Sequence, residues 1–139
     1  MIVVDSNILA YLYLPGDFTV AAEALLEKHS KWTAPVLWRS EFRNILAGYL
    51  RRKAITFERA HSIQAEAENL MSSAEFEVDS LAVLELVRDS DCSAYGCEFV
   101  ALAMQMKCKL VTLDGKLLRA FPMHALSLLA PDQSLDNAQ

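Results

Sequence analysis

Two carboxylates in the 139-residue chain stand in the same local setting. Ile2-Val3-Val4-Asp5 and Leu110-Val111-Thr112-Leu113-Asp114 each run a short apolar stretch into an aspartate. Such stretches read as interior strands, and the carboxyl ends of strands in an open parallel sheet form its ligand edge. If the two strands are neighbours, Asp5 and Asp114 meet there. Capping of a following helix is the competing role for each. Glu41 is the third acid of interest. At about 100° per residue it falls on the margin of a helical stripe, beside Ile45, and points along the seam between helix and sheet. Its competing role is an ion pair with Arg39, Arg43 or Lys53.

Three acids at one sheet edge repel one another unless cations neutralise them. Oxygen-only ligands favour hard ions, Mg²⁺ or Mn²⁺. Such ions suit phosphoryl chemistry, because they activate a water and stabilise charge on the phosphate. The formal charge of −5 and pI near 5.1 exclude a protein that holds a polyanion by bulk positive charge. A metal-lined site with a few local cations remains. Arg39 and Arg43, which flank Glu41, and Lys116, which follows Asp114, are the candidate phosphate contacts. Arg51-Arg52-Lys53 reads as a complement to a helix dipole. Tyr11 and Tyr13, near Asp5, are the aromatics open to a partner, whereas Trp32, Trp38 and Tyr49 read as core or interface.

The positioning elements follow from periodicity and caps. After the first strand, Ser6-Asn7 caps a helix through Leu12, stopped by Pro15-Gly16. Asp17 caps a second helix with Val20, Ala21, Ala24, Leu25 and Lys28 recurring at helical spacing, and 31–35 forms a strand. Between Val36 and Lys53, Trp38, Phe42, Ile45, Leu46, Tyr49 and Leu50 fall on one helical face. Helices also run from Thr56 to about Met71, over Ser80–Arg88, and from Ala94 to Lys107 behind a Ser93 cap. Strands are expected near 76–78, over 110–113 and within 125–129.

Strands separated by helices predict right-handed βαβ crossovers. The fold class is α/β, a three-layer α/β/α sandwich around a central parallel sheet of four to five short strands. Residues 1–130 form a single domain and 131–139 a flexible tail. A composition of 53% hydrophobic and 22% charged residues excludes disorder. The three cysteines show no C-x-x-C, the N-terminus shows no secretory leader, and no apolar run reaches the roughly 20 residues of a membrane span. These features predict a cytoplasmic protein with no membrane contact.

Four segments, in order, carry a family likeness: Val3-Val4-Asp5-Ser6-Asn7, Ser40-Glu41-Phe42-Arg43-Asn44-Ile45-Leu46, the stretch from Ser93-Ala94-Tyr95-Gly96 to Leu102-Ala103, and Leu110-Val111-Thr112-Leu113-Asp114. Together they resemble the PIN domain family, and within it the VapC-type toxins of toxin–antitoxin pairs. The resemblance implies a metal-dependent endoribonuclease that cuts single-stranded or structured RNA, forms a homodimer and is held by an antitoxin protein. It places Asp5, Glu41 and Asp114 at metal-binding, catalytic positions, with Ser6 and Asn7 as polar neighbours of the first acid. One position departs from the pattern: members of this type read Tyr-Asp where this chain has Tyr95-Gly96, and that aspartate is usually a principal metal ligand. Glu98 lies two helical residues on, rotated by about 200°, which leaves it a supporting role.

The main expectation is therefore a ribonuclease of lowered activity. The alternative is a PIN-like module that binds RNA or an antitoxin without cutting. A phosphatase of the haloacid dehalogenase type would also place an aspartate after its first strand, but it needs a second acid two residues on, and position 7 is Asn.

Overall fold

The computed structural model describes residues 1–130 and Leu135. The expected tail, 131–139, lies outside the described residues apart from Leu135, whose side chain is buried in the core. The chain opens with strand β1 (Ile2–Val4) and helices α1 (Ser6–Tyr13) and α2 (Thr19–Lys28). Strand β2 (Trp32–Pro35) is followed by helices α3 (Trp38–Arg51) and α4 (Phe57–Leu70). Strand β3 (Glu75–Phe76), helices α5 (Ser80–Arg88) and α6 (Ala94–Met106), strand β4 (Leu110–Thr112), helix α7 (Gly115–Ala120) and strand β5 (Ala125–Ser127) complete it.

The five strands form one parallel sheet in the order β3-β2-β1-β4-β5. Every residue of β1, β2 and β4 is buried, so these strands read as mostly apolar runs, broken only by Thr33 and Thr112, rather than alternating ones. From β1 the chain steps outward through β2 to β3, then crosses to β4 and β5 on the other side. Right-handed crossovers then put α1–α4 on one face and α5–α7 on the other, giving the three layers. The reversal of direction falls between β1 and β4. That crevice, outside the carboxyl ends of the two strands, is where such sheets bind ligands. Val4 pairs in register with Val111, which sets Asp5 level with Thr112 and two residues short of Asp114 on the neighbouring strand.

Helix α3 buries Trp38, Phe42 and Leu46, with Ile45 and Tyr49 packed at the margin, as its spacing predicts. Two caps differ from expectation. Asp5, not Ser6-Asn7, caps α1 by accepting from the Ile8 N–H, and the N-cap position of α2 is Phe18, with no side-chain cap from Asp17. The buried stripe of α2 also differs: Ala22 and Leu25 face inward while Val20 is exposed. Small apolar residues on several sides of this helix leave its period ambiguous. Ser93 caps α6 as predicted, and Thr56, expected to open α4, is its N-cap, accepting from the Arg59 N–H. No helix among the described residues is long and apolar enough to cross a membrane.

Candidate active site

A cavity of about 610 Å³ opens at the β1–β4 crevice, and all three predicted acids line it. Asp5, Ser6 and Asn7 enter from the turn after β1; Ser40, Glu41 and Asn44 come from the first two turns of α3. The start of α6 contributes Ser93, Tyr95 and Gly96, and the turn into α7 contributes Asp114.

Asp5 is the buried member, 8% exposed. Its Oδ1 accepts from the Ile8 N–H at 3.1 Å and its Oδ2 from the Thr112 hydroxyl. Burial pushes its pKa from 3.8 up to about 6; the hydrogen bonds oppose that rise and the charge of Glu41 adds to it. Glu41 is half-buried, and its Oε1 accepts a 2.8 Å bond from the Ser6 hydroxyl. Asp114 is exposed and caps α7, its Oδ1 accepting from the N–H groups of Lys116 and Leu117 at 2.9 and 3.3 Å. Thr112 joins the two aspartates, since its hydroxyl also accepts the Asp114 N–H at 3.0 Å. The one signal of Thr112 in the sequence is a hydroxyl inside an otherwise apolar strand.

Among the described residues no three His, Cys, Asp or Glu side chains stand close enough together to hold a metal ion between them. The donors nevertheless fit a hard divalent cation. The ionisable groups lining the cavity are all carboxylates apart from the Tyr95 phenol, with no Lys or Arg among them, and the charges of Asp5 and Glu41 act directly on each other. Mg²⁺ keeps several waters and is held by one or two carboxylates, so a closed cage is not required. Asp5 and Glu41 are the pair that would hold it, with the Oδ2 edge of Asp114 free of hydrogen bonds among the described residues.

Gly96 sits in the first turn of α6, where a side chain would enter the cavity. A Cβ there would lie 3.2 Å from Leu117 Cδ2 and 3.5 Å from Ser93 Oγ. The shape of the cavity at this point is therefore tuned to the absence of a side chain. Glu98 does not replace the missing carboxylate. It lines a neighbouring groove with Leu37, Phe76 and Val83, although burial and the charge of Glu41 both raise its pKa.

The predicted phosphate contacts separate. Arg43 is exposed and donates to Ser40 Oγ at 3.2 Å, and Lys116 is exposed beside Asp114, so both remain available. Arg39 is committed elsewhere. Its guanidinium donates to Glu75 at 2.6 and 2.8 Å and to Glu68 at 3.0 Å, while the Trp38 indole N–H shares the same Glu75 oxygen. It thereby ties α3 to the outer strand β3 and to α4. Arg39→Ala is expected to lower the melting temperature and leave RNA affinity unchanged, as thermal melts and a binding titration would show. Tyr11 and Tyr13 are likewise packed, against Phe18 and Phe42.

The fold is shared with solved structures of low sequence identity. FitAcB from Neisseria gonorrhoeae superposes with a TM-score of 0.75 at 13% identity, covering 94% of this chain and all of that one. PAE2754 from Pyrobaculum aerophilum gives 0.73 at 17% identity over 99% of this chain and 88% of that one. A toxin–antitoxin complex from Klebsiella pneumoniae gives 0.68 at 14% identity over 92% of this chain and 98% of that one. No curated protein sequence matches the chain. The model of the PIN domain matches residues 2–121, nearly the whole described chain, and with it the acids at 5, 41 and 114. The chain belongs to the PIN domain family.

Proposed function

We propose that the chain is a divalent-metal-dependent endoribonuclease, the toxin of a toxin–antitoxin pair, working below the strength of a site with its full set of acids. The observation that carries this reading is the meeting of Asp5, Glu41 and Asp114 in one cavity at the switch point of a parallel sheet. Membership of a family whose members are generally nucleases supports it. A fold shared with the Klebsiella pneumoniae toxin–antitoxin complex supports the toxin role. The reading brings two protein partners, an antitoxin and a second copy of the chain, and a cytoplasmic place of action.

Each residue then has a task in phosphodiester hydrolysis. Asp5 and Glu41 would hold Mg²⁺ or Mn²⁺, whose charge neutralises the phosphate and lowers the pKa of a water. Ser6 keeps Glu41 turned inward, and Thr112 fixes the plane of the Asp5 carboxylate while anchoring the backbone of Asp114. Arg43 and Lys116, each two residues after one of the acids, would neutralise flanking phosphates of the strand.

The test is cleavage of a mixed structured RNA in Mn²⁺. Wild type is expected to cut slowly, and both Asp5→Ala and excess EDTA should reduce cutting to background. Cleavage that persists unchanged in EDTA would refute the mechanism. Gly96 favours a second reading, in which the chain binds RNA or an antitoxin without cutting. A gel shift with no cleavage in Mn²⁺, converted to cleavage by Gly96→Asp, would select it.

A further inference from the structure

We propose that Tyr95 is a stacking platform for an unpaired base of the strand held at the acid cavity, which makes it a specificity-determining residue that selects single-stranded over duplex RNA. The inference rests on the nuclease reading and deepens it by naming the residue that would engage an unpaired base. Tyr95 is 63% exposed and lines the cavity immediately beside Gly96. The other tyrosines are engaged: Tyr11 with Phe18, Tyr13 with Phe42, and Tyr49 beneath the Arg52 guanidinium at 4.6 Å. Among the described residues Tyr95 has no ring partner, so a face of its phenol is open at the mouth of the site.

Its surroundings suit a base. Gly96, its neighbour in the lining, adds no side chain to the cavity. Asn7 and Asn44 line the same cavity, are exposed, and make no side-chain hydrogen bond among the described residues. A free carboxamide offers a donor and an acceptor together, which is what the edge of an unpaired base requires. A ring can stack only on a base whose face is free, and in a duplex both faces are covered by neighbours. A strand with one base on Tyr95 would lay its adjoining phosphate toward Asp5 and Glu41. Because every base has a π-face, the ring selects strandedness, and the amides supply whatever base preference exists.

The experiment is equilibrium binding of a fluorescein-labelled single-stranded oligoribonucleotide, and of its duplex, to the full chain with Ca²⁺ as the divalent ion. Tyr95→Ala and Tyr95→Leu are expected to weaken single-strand binding by about 5- to 100-fold, with duplex binding unchanged and Tyr95→Phe close to wild type. The leucine variant keeps apolar bulk in the helix without the ring, so it separates stacking from folding. Unchanged single-strand affinity in both ring-less variants overturns the proposal and leaves the nuclease reading standing. Equal losses on single strand and duplex overturn it, as does an effect confined to a protein partner. A wild-type chain that binds neither RNA overturns this proposal together with the reading beneath it.

Discussion

Gly96→Asp is expected to raise RNA cleavage in Mn²⁺ by on the order of 100-fold, the scale on which groups around a metal site change activity. The new carboxylate would emerge from the first turn of α6 into the cavity that already holds Asp5, Glu41 and Asp114. Space is tight but yielding. The nearest atom to the added Cβ, at 3.2 Å, is the terminal methyl of Leu117, which must give by a few tenths of an ångström. Helix propensity changes little, because aspartate ranks only slightly above glycine in a helix interior. An acid in the first turn also complements the helix dipole, by about 0.3–1 kcal/mol. A time course on one gel, with wild type and Asp5→Ala beside it, measures the effect. An inert Gly96→Asp protein that still folds would show that the missing acid is not what limits the site.

Asp5→Asn is expected to abolish cleavage and, in metal-free protein, to stabilise the fold at neutral and alkaline pH. Burial raises the Asp5 pKa from 3.8 to about 6, so the folded chain keeps a proton that the unfolded chain releases. The contribution of Asp5 to stability is therefore full below about pH 4 and lost as the pH rises through about 6. That rise corresponds to about 3 kcal/mol by pH 8. An asparagine carries no charge to bury and keeps an oxygen for the Ile8 N–H. Metal-free Asp5→Asn should melt about 5–10 °C above wild type at pH 8 and together with it at pH 4. Mn²⁺ should close the gap at pH 8, since only wild type binds it well. A variant less stable than wild type at pH 8 would contradict the picture of an unneutralised buried charge.

The mapping from sequence to site is uneven, and the unevenness has a pattern. The apolar runs into Asp5 and Asp114, the stripe of α3 that sets Glu41 at its margin, and the caps Thr56 and Ser93 were legible because each is written within a turn or two of chain. Helix α7 was not anticipated. It spans six residues, too few for a periodic face, and its signal was the capping role of Asp114 itself. The inward face of α2 was misplaced because alanines and valine on several sides give no clear period. The family likeness added the functional meaning of the acids, and it also exposed position 96 as the gap among them.

By itself, then, the sequence determined the α/β alternation, the two aspartates that end buried strands, and the helix that carries Glu41. These follow from backbone propensity and side-chain period, which act over a few residues. Tertiary structure alone decided that β1 lies beside β4, that Thr112 holds Asp5 from 107 residues away, and that Ser6 holds Glu41 across 35. It also decided that Arg39 goes to Glu75, 36 residues on, rather than to the cavity, and that Tyr95 keeps an open face. Strand order is set by which helical faces must be buried together. The partner of a charged or polar side chain is then whichever group that packing brings within about 3 Å, and no local pattern records it.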